Sequence, residues 1–384
     1  MNEYYNGYEK IFEFLRLKNT ERLLLKASIQ EKPQGTTLIN QWQREVDLDT
    51  LAACSIELFP FLYFKYKQEL NKQFTNLFLG TYRKSFYKNN IILKETCRLL
   101  DLLKVNDIPC ICFKGIPLAL RYYKNLAIRP MNDSDIIVRP QDFQKAVEIA
   151  LKNGFSDNKN MKSIKNTTQM HLYNNELGVI CDLHRDIWQA KGVSYFLWDS
   201  VEKYYLSPAV SFPVPSAAGE LILAFTRGIF GSTYRACRWI IDAYMIIKSE
   251  PAISWEMFIA YAQKSHLRIH LLRTLYYLKT NFDIPIPEKY YQKLAVDYPW
   301  VEDMKCFIRL SVEVEPKDYT IRNYFSRLIA FLSKVRRQCQ IFKILYGNHP
   351  KKISFYALRV LFLLELIYTK SKDGLSRLFA KIKR

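Results

Sequence analysis

Two carboxylates one residue apart, Asp133 and Asp135, stand at the head of an apolar run, Asp133-Ser134-Asp135-Ile136-Ile137-Val138. Side chains alternate along a strand, so Asp133 and Asp135 share one face while Ser134 and Ile136 take the other. Carboxylates held that close repel each other unless a cation sits between them. The chemistry on offer is therefore cation binding, and hard divalent ions take carboxylate oxygens together with phosphates and water.

The elements that must position this pair can be read on either side of it. Ile108 to Phe113 is rich in β-branched and apolar residues and stops at Lys114-Gly115, a buried strand meeting a tight turn. Pro117 suits the first turn of a following helix, one side of which is covered by Leu118, Leu120, Tyr122 and Tyr123. Arg129-Pro130 then turns the chain into a second strand, Ser134 to Val138. Gln141 to Asn153 has helical spacing, with Gly154 as its stop. Met170 to Tyr173 and Val179 to His184 are two short strands joined by a hairpin-like turn, Asn174-Asn175-Glu176-Leu177-Gly178. Asp182 sits inside the second of them, a strand that can lie beside the Asp133/Asp135 strand.

This pattern resembles the nucleotidyltransferase superfamily, and most closely its family of uncharacterised nucleotidyltransferases. The resemblance is carried by Lys114-Gly115 at the strand end, by Arg129, by Asp133-Ser134-Asp135-Ile136-Ile137-Val138, and by Asp182-Leu183-His184 within VICDLHRDIW. This chain has Lys-Gly where the broader superfamily has Gly-Ser or Gly-Gly, and Ser134 where an apolar residue usually separates the carboxylates. The resemblance implies an α+β fold, with a small mixed sheet flanked by amino- and carboxy-terminal helical domains. It also implies Mg²⁺-dependent transfer of a nucleoside monophosphate from an NTP, ATP among the four, to an acceptor the sequence does not identify. In such a reaction an acceptor oxygen attacks the α-phosphate in line and pyrophosphate leaves, with two Mg²⁺ ions offsetting the charge on both oxygens. Asp133 and Asp135 would be shared between the ions. Asp182 would complete the site of the ion that activates the acceptor, and could receive its proton. Lys114, the Gly115 turn and Arg129 would take the triphosphate. His184 could orient Asp182 or the substrate, with a structural role as the alternative. Asp242, in Arg238-Trp239-Ile240-Ile241-Asp242, could approach the nucleotide or serve as a surface or capping residue.

A chain of 384 residues has room for two or three domains. The expected division is a helical region over 1–105, a catalytic core over 106–207, a helical domain over 208–316 and a basic helical region over 317–384. In the first of these Gln34-Gly35-Thr36-Thr37 marks a loop between helices, and Pro208, Pro213 and Pro215 punctuate a linker after the core. The formal charge is +20, and residues 317–384 hold 16 Lys and Arg against 3 Asp and Glu, so most of the excess lies there. A basic region of this kind favours an anionic partner, either a membrane surface or RNA. Ile353 to Tyr368 is too short and too interrupted to span a bilayer, and reads either as an interfacial helix or as a packed core helix with a basic flank.

The amino terminus mixes charged and apolar residues from the start, unlike a secretory signal, so a cytoplasmic location is expected, with peripheral attachment to the inner face of the membrane open. Eight scattered Cys without a C-x-x-C pair fit buried thiols in a reducing compartment. His266 and His270 have the spacing of zinc ligands but no Glu between them and no third ligand, so metal binding is not assigned to them. No nucleophile elbow, Walker loop or dinucleotide fingerprint is present, which disfavours those enzyme classes. The alternative to an enzyme is a non-catalytic binding protein that keeps this fold and attaches to membrane or RNA through its basic region.

Overall fold

Where the sequence has period-two alternation around the acidic residues, the chain forms strands, and the helices before and after supply one wall of the core. The computed structural model describes residues 17–157, 167–187, 193–230, 237–250, 253–264 and 268–295, all of them within one compact unit, Leu15–Val296. His266, Cys306, Cys339 and the basic region 317–384 lie outside the described residues.

Among the described residues, five α-helices precede the sheet: α1 (Asn19–Ile29), α2 (Lys32–Glu45), α3 (Ala53–Ile56), α4 (Phe59–Tyr66) and α5 (Lys72–Val105). The loop expected at Gln34 to Thr37 is instead part of α2, which has a Pro in its first turn. Gly35 serves close approach rather than a break. A Cβ there would stand 1.7 Å from the Tyr66 hydroxyl, which donates to the Ala27 carbonyl at 2.7 Å. Helix α5 is continuous over 34 residues. Its buried positions Phe78, Ser85, Asn89, Ile92, Thr96, Leu99 and Leu103 fall at helical spacing, and the Asn71 side chain caps it by accepting from the Phe74 amide at 3.1 Å. Packing of that stripe outweighs the mid-helix Gly80.

Next come β1 (Cys110–Phe113), α6 (Gly115–Arg121), β2 (Asp133–Val138), α7 (Phe143–Lys152), β3 (Gln169–Asn174) and β4 (Val179–His184). They build a four-stranded mixed sheet in the order β1-β2-β4-β3. β1 and β2 are antiparallel, β2 and β4 parallel, β3 and β4 antiparallel. Alternation then sorts the side chains. Cys110, Cys112, Ile136, Val138, Met170, Leu172, Cys181 and Leu183 form one face and bury themselves against α5 and α7. Phe113, Asp133, Asp135, His171, Asp182 and His184 share the other face by register. Buried Asn89 of α5 fixes the entry to β2: its Nδ2 donates to the Arg129 carbonyl at 2.8 Å, and its Oδ1 accepts from the Met131 amide at 3.2 Å.

After α8 (Val193–Asp199), β5 (Val201–Tyr205) and β6 (Ser211–Pro215) form a separate two-stranded antiparallel sheet, with β6 packed beside β1. The proline-punctuated linker is thus largely a hairpin. In a two-stranded sheet every strand is an edge, so Pro213 and Pro215 need donate nothing to a second neighbour. Helices α9 (Ala217–Phe230), α10 (Arg238–Ser249), α11 (Trp255–Lys264), α12 (Arg268–Phe282) and α13 (Glu288–Ala295) follow. Phe225 sits edge-on to Trp239 and Phe258 among them, at 6.3 and 5.6 Å. The architecture is α+β, a small mixed sheet with helices before and after it. Among the described residues no helix is long and apolar enough to cross a membrane.

Candidate functional site

Asp135 and Asp182 are register partners across the parallel pair β2–β4. That pairing places their side chains next to each other on the face of the sheet that α5 does not cover. His184, two residues beyond Asp182 on the same face, completes the group, and one ligand atom from each of the three lies within 4.8 Å of the others. Asp133 is two residues before Asp135 on the same face and is half-buried; it is not part of that group.

Asp135 Oδ1 is contacted twice, by Lys114 Nζ at 3.0 Å and by His184 Nε2 at 3.0 Å. Burial would raise the Asp135 carboxyl, but the Lys114 ammonium and the His184 imidazole outweigh it and hold the group below the usual carboxylate range. Phe113, opposite Asp135 in the ladder, supports both partners. His184 meets its ring at 5.2 Å in a T-shaped contact, and Lys114 Nζ lies 4.7 Å from its centroid. The hydrogen-bond partner of His184 is therefore Asp135; the sequence leaves Asp182, the substrate and a structural role open for it.

Asp182 has its own pair of partners from β3, neither of them anticipated. His171 Nδ1 is 2.5 Å from Oδ1, and Gln169 Nε2 donates to Oδ2 at 2.5 Å. The signal was present: Gln169 and His171 alternate with buried Met170 and Leu172, and β3 pairs with β4 so that His171 stands opposite Asp182. Only the register turns that alternation into a contact. The side chain of His171 is 39% exposed and that of Lys114 20%, so these two mark the side from which the buried carboxylates are reached.

The turn after β1 is tightly specified. Lys114 has φ 61° and ψ −114°, a conformation rarely taken by residues with a side chain. Gly115 lets the segment entering β2 approach closely: a Cβ there would come within 2.9 Å of Met131 Sδ, so the Met131 side chain would have to shift. The Lys114 backbone N–H donates to Glu220 Oε2 of α9 at 3.4 Å. Glu220 is fully buried, and its Oε1 has no hydrogen-bond partner. Burial, only partly opposed by the Arg121 guanidinium, pushes its carboxyl up to about 8. A lone acid in the apolar stretch ELILAF was the sequence signal for it.

Arg129 and Asp242 meet each other in the interior. Arg129 Nε and Nη2 donate to the two oxygens of Asp242 at 2.8 and 2.9 Å, and Nη1 faces the Gly115 carbonyl at 3.4 Å. The Tyr123 hydroxyl adds a third bond to Asp242 at 2.8 Å. Burial opposes ionisation of both, and each charge holds the other in its ionised form, with the Asp242 carboxyl lowered and the Arg129 guanidinium raised. Asp242 is therefore a buried ion-pair partner, neither a surface residue nor a helix cap.

Two carboxylates side by side, a histidine, a lysine on one of the carboxylates and a glycine turn make a group suited to a divalent cation and a phosphorylated ligand. The family model described as uncharacterised nucleotidyltransferase matches residues 52–283, a span that includes every residue of this group. No curated protein matches the chain.

Proposed function

The chain belongs to the uncharacterised nucleotidyltransferase family, and from that membership we propose that it transfers a nucleoside monophosphate from a nucleoside triphosphate to an acceptor hydroxyl, with divalent cations as cofactors. The observation that carries this reading is the adjacency of Asp135 and Asp182 on parallel strands, with His184 beside them. Their donor set fits such a cation. The carboxylate oxygens suit Mg²⁺ and Mn²⁺. Asp135, Asp182 and His184 would hold it, with Asp133 next along the strand. Bound there, divalent cations would neutralise charge on the α-phosphate and its leaving group.

The rest falls to the chain's own groups. Lys114, whose ammonium lies at the edge of the group formed by Asp135, Asp182 and His184, would take an oxygen of the triphosphate, with the Gly115 turn and the start of α6 alongside. Arg129, committed to Asp242, holds that turn from behind through the Gly115 carbonyl. The acceptor hydroxyl loses its proton to Asp182 Oδ1 as its oxygen bonds to the α-phosphorus, and the bond to pyrophosphate breaks. His171, whose ring lies on that carboxylate oxygen and whose side chain is 39% exposed, relays the proton towards solvent. We further propose a cytoplasmic location, with the basic region 317–384 meeting an anionic surface, on the strength of its charge alone.

The test is transfer of label. The protein is incubated with each of the four ribonucleoside triphosphates labelled at the α-phosphate, Mg²⁺ or Mn²⁺, and a cell extract. We expect one molecule to become labelled with the wild type and none with Asp135→Asn. Equal labelling by the two proteins would defeat the proposal.

A further inference from the structure

Lys114 is held at both ends by carboxyl groups: its backbone N–H faces Glu220, and its ammonium lies on Asp135 Oδ1. Its positive φ is the kind of backbone strain that persists only where the surroundings over-determine it. Glu220 from α9 and the ring of Phe113 supply that determination and aim the ammonium at the carboxylate that lies between Lys114 and His184. The charge arithmetic of the site explains the arrangement. Asp135 and Asp182 stand side by side, and without an added cation their repulsion is relieved by cationic side chains. A divalent ion arriving at Asp135 meets a positive charge already there.

We propose that Lys114 is a built-in counter-charge that competes with the divalent cation for Asp135 and gives way when a polyphosphate takes its ammonium. The inference rests on the reading of Asp135, Asp182 and His184 as the cation-holding group. Free cation then binds weakly, and cation and polyphosphate bind as partners, each strengthening the other through the release of one side chain. The ammonium moves from one anion to another, and no bond is made or broken.

Calorimetric titration of the full chain with Mn²⁺, no nucleotide present, reads this directly. Lys114→Met should bind Mn²⁺ at least about fivefold more tightly than the wild type, and Lys114→Gln should behave likewise. Affinity equal to or weaker than that of the wild type in both variants would overturn the proposal, since a lysine that serves only the phosphates leaves cation binding untouched. A measurement on the unaltered protein covers the case of a variant that does not fold. Mn²⁺ should speed acylation of Lys114 by an amine-directed reagent, read by peptide mass spectrometry, and an unchanged rate would count against displacement. Asp135→Asn separates the two layers. Mn²⁺ binding undiminished in that variant removes the cation site itself, whereas binding lost there but indifferent to Lys114 removes only the competition.

Discussion

Arg129 and Asp242 lie 113 positions apart in the chain and form a two-pronged ion pair in the interior, Nε on Oδ1 at 2.8 Å and Nη2 on Oδ2 at 2.9 Å. The pair fastens the approach to β2 onto α10, and Tyr123 locks it from the side. Removing one partner leaves the other charge buried and alone, which typically costs about 3–5 kcal/mol, whereas replacing both with apolar groups is often neutral. Arg129→Met should therefore lower the stability measured in urea by several kcal/mol, and Arg129→Lys should recover little because a lysine cannot make the paired contact. The double variant Arg129→Met with Asp242→Leu should regain most of the loss. A single variant as stable as the wild type would show that the pair contributes nothing to the fold.

His171 offers a kinetic prediction. It touches Asp182 from outside the group formed by Asp135, Asp182 and His184, so its loss should affect proton removal more than nucleotide binding. His171→Asn is expected to slow transfer about a hundredfold while the KM for the triphosphate stays within about twofold of the wild type. An effect confined to KM would instead make His171 a binding residue.

Glu220 gives a stability prediction whose sign is fixed by its shift. Its carboxyl sits at about 8 in the folded protein because of burial, against an ordinary value of 4.5. Below the lower value it is protonated in both folded and unfolded chains. Between the two it is ionised only when unfolded, so the stability it contributes at low pH is lost as pH rises towards 8. The slope is about 1.4 kcal/mol per pH unit for this one group. Glu220→Gln, neutral at every pH, should flatten the dependence in urea denaturation across that window. A wild type and variant with parallel pH profiles would show that Glu220 is ionised in the fold.

Much of this was legible in the sequence where one rule governed the outcome. Period-two alternation placed Asp133 and Asp135 on one face, and the strand Val179–His184 has the bounds its residues suggested. Where two rules competed, tertiary packing won. Gly35 looked like a break but answers to the Tyr66 hydroxyl, and Pro213 and Pro215 looked like a linker but fit a hairpin made only of edges. The partners of the carboxylates were harder to see, because a strand's pattern states which face a residue takes but not which neighbour it meets. His171 and His184 each lie on the correct face by alternation alone, yet only the ladder assigns one to Asp182 and the other to Asp135.

The parallel pairing of β2 with β4 has a consequence for how the protein comes into being. A chain still emerging from the ribosome with β2 finished carries one of the two adjoining carboxylates and nothing to set beside it. The second is set beside it only once β4 pairs with β2, so a partly synthesised or truncated chain ending before Gln169 lacks Asp182 and should be inert towards nucleotides. Competence comes with closure of the sheet rather than with the appearance of the acidic motif.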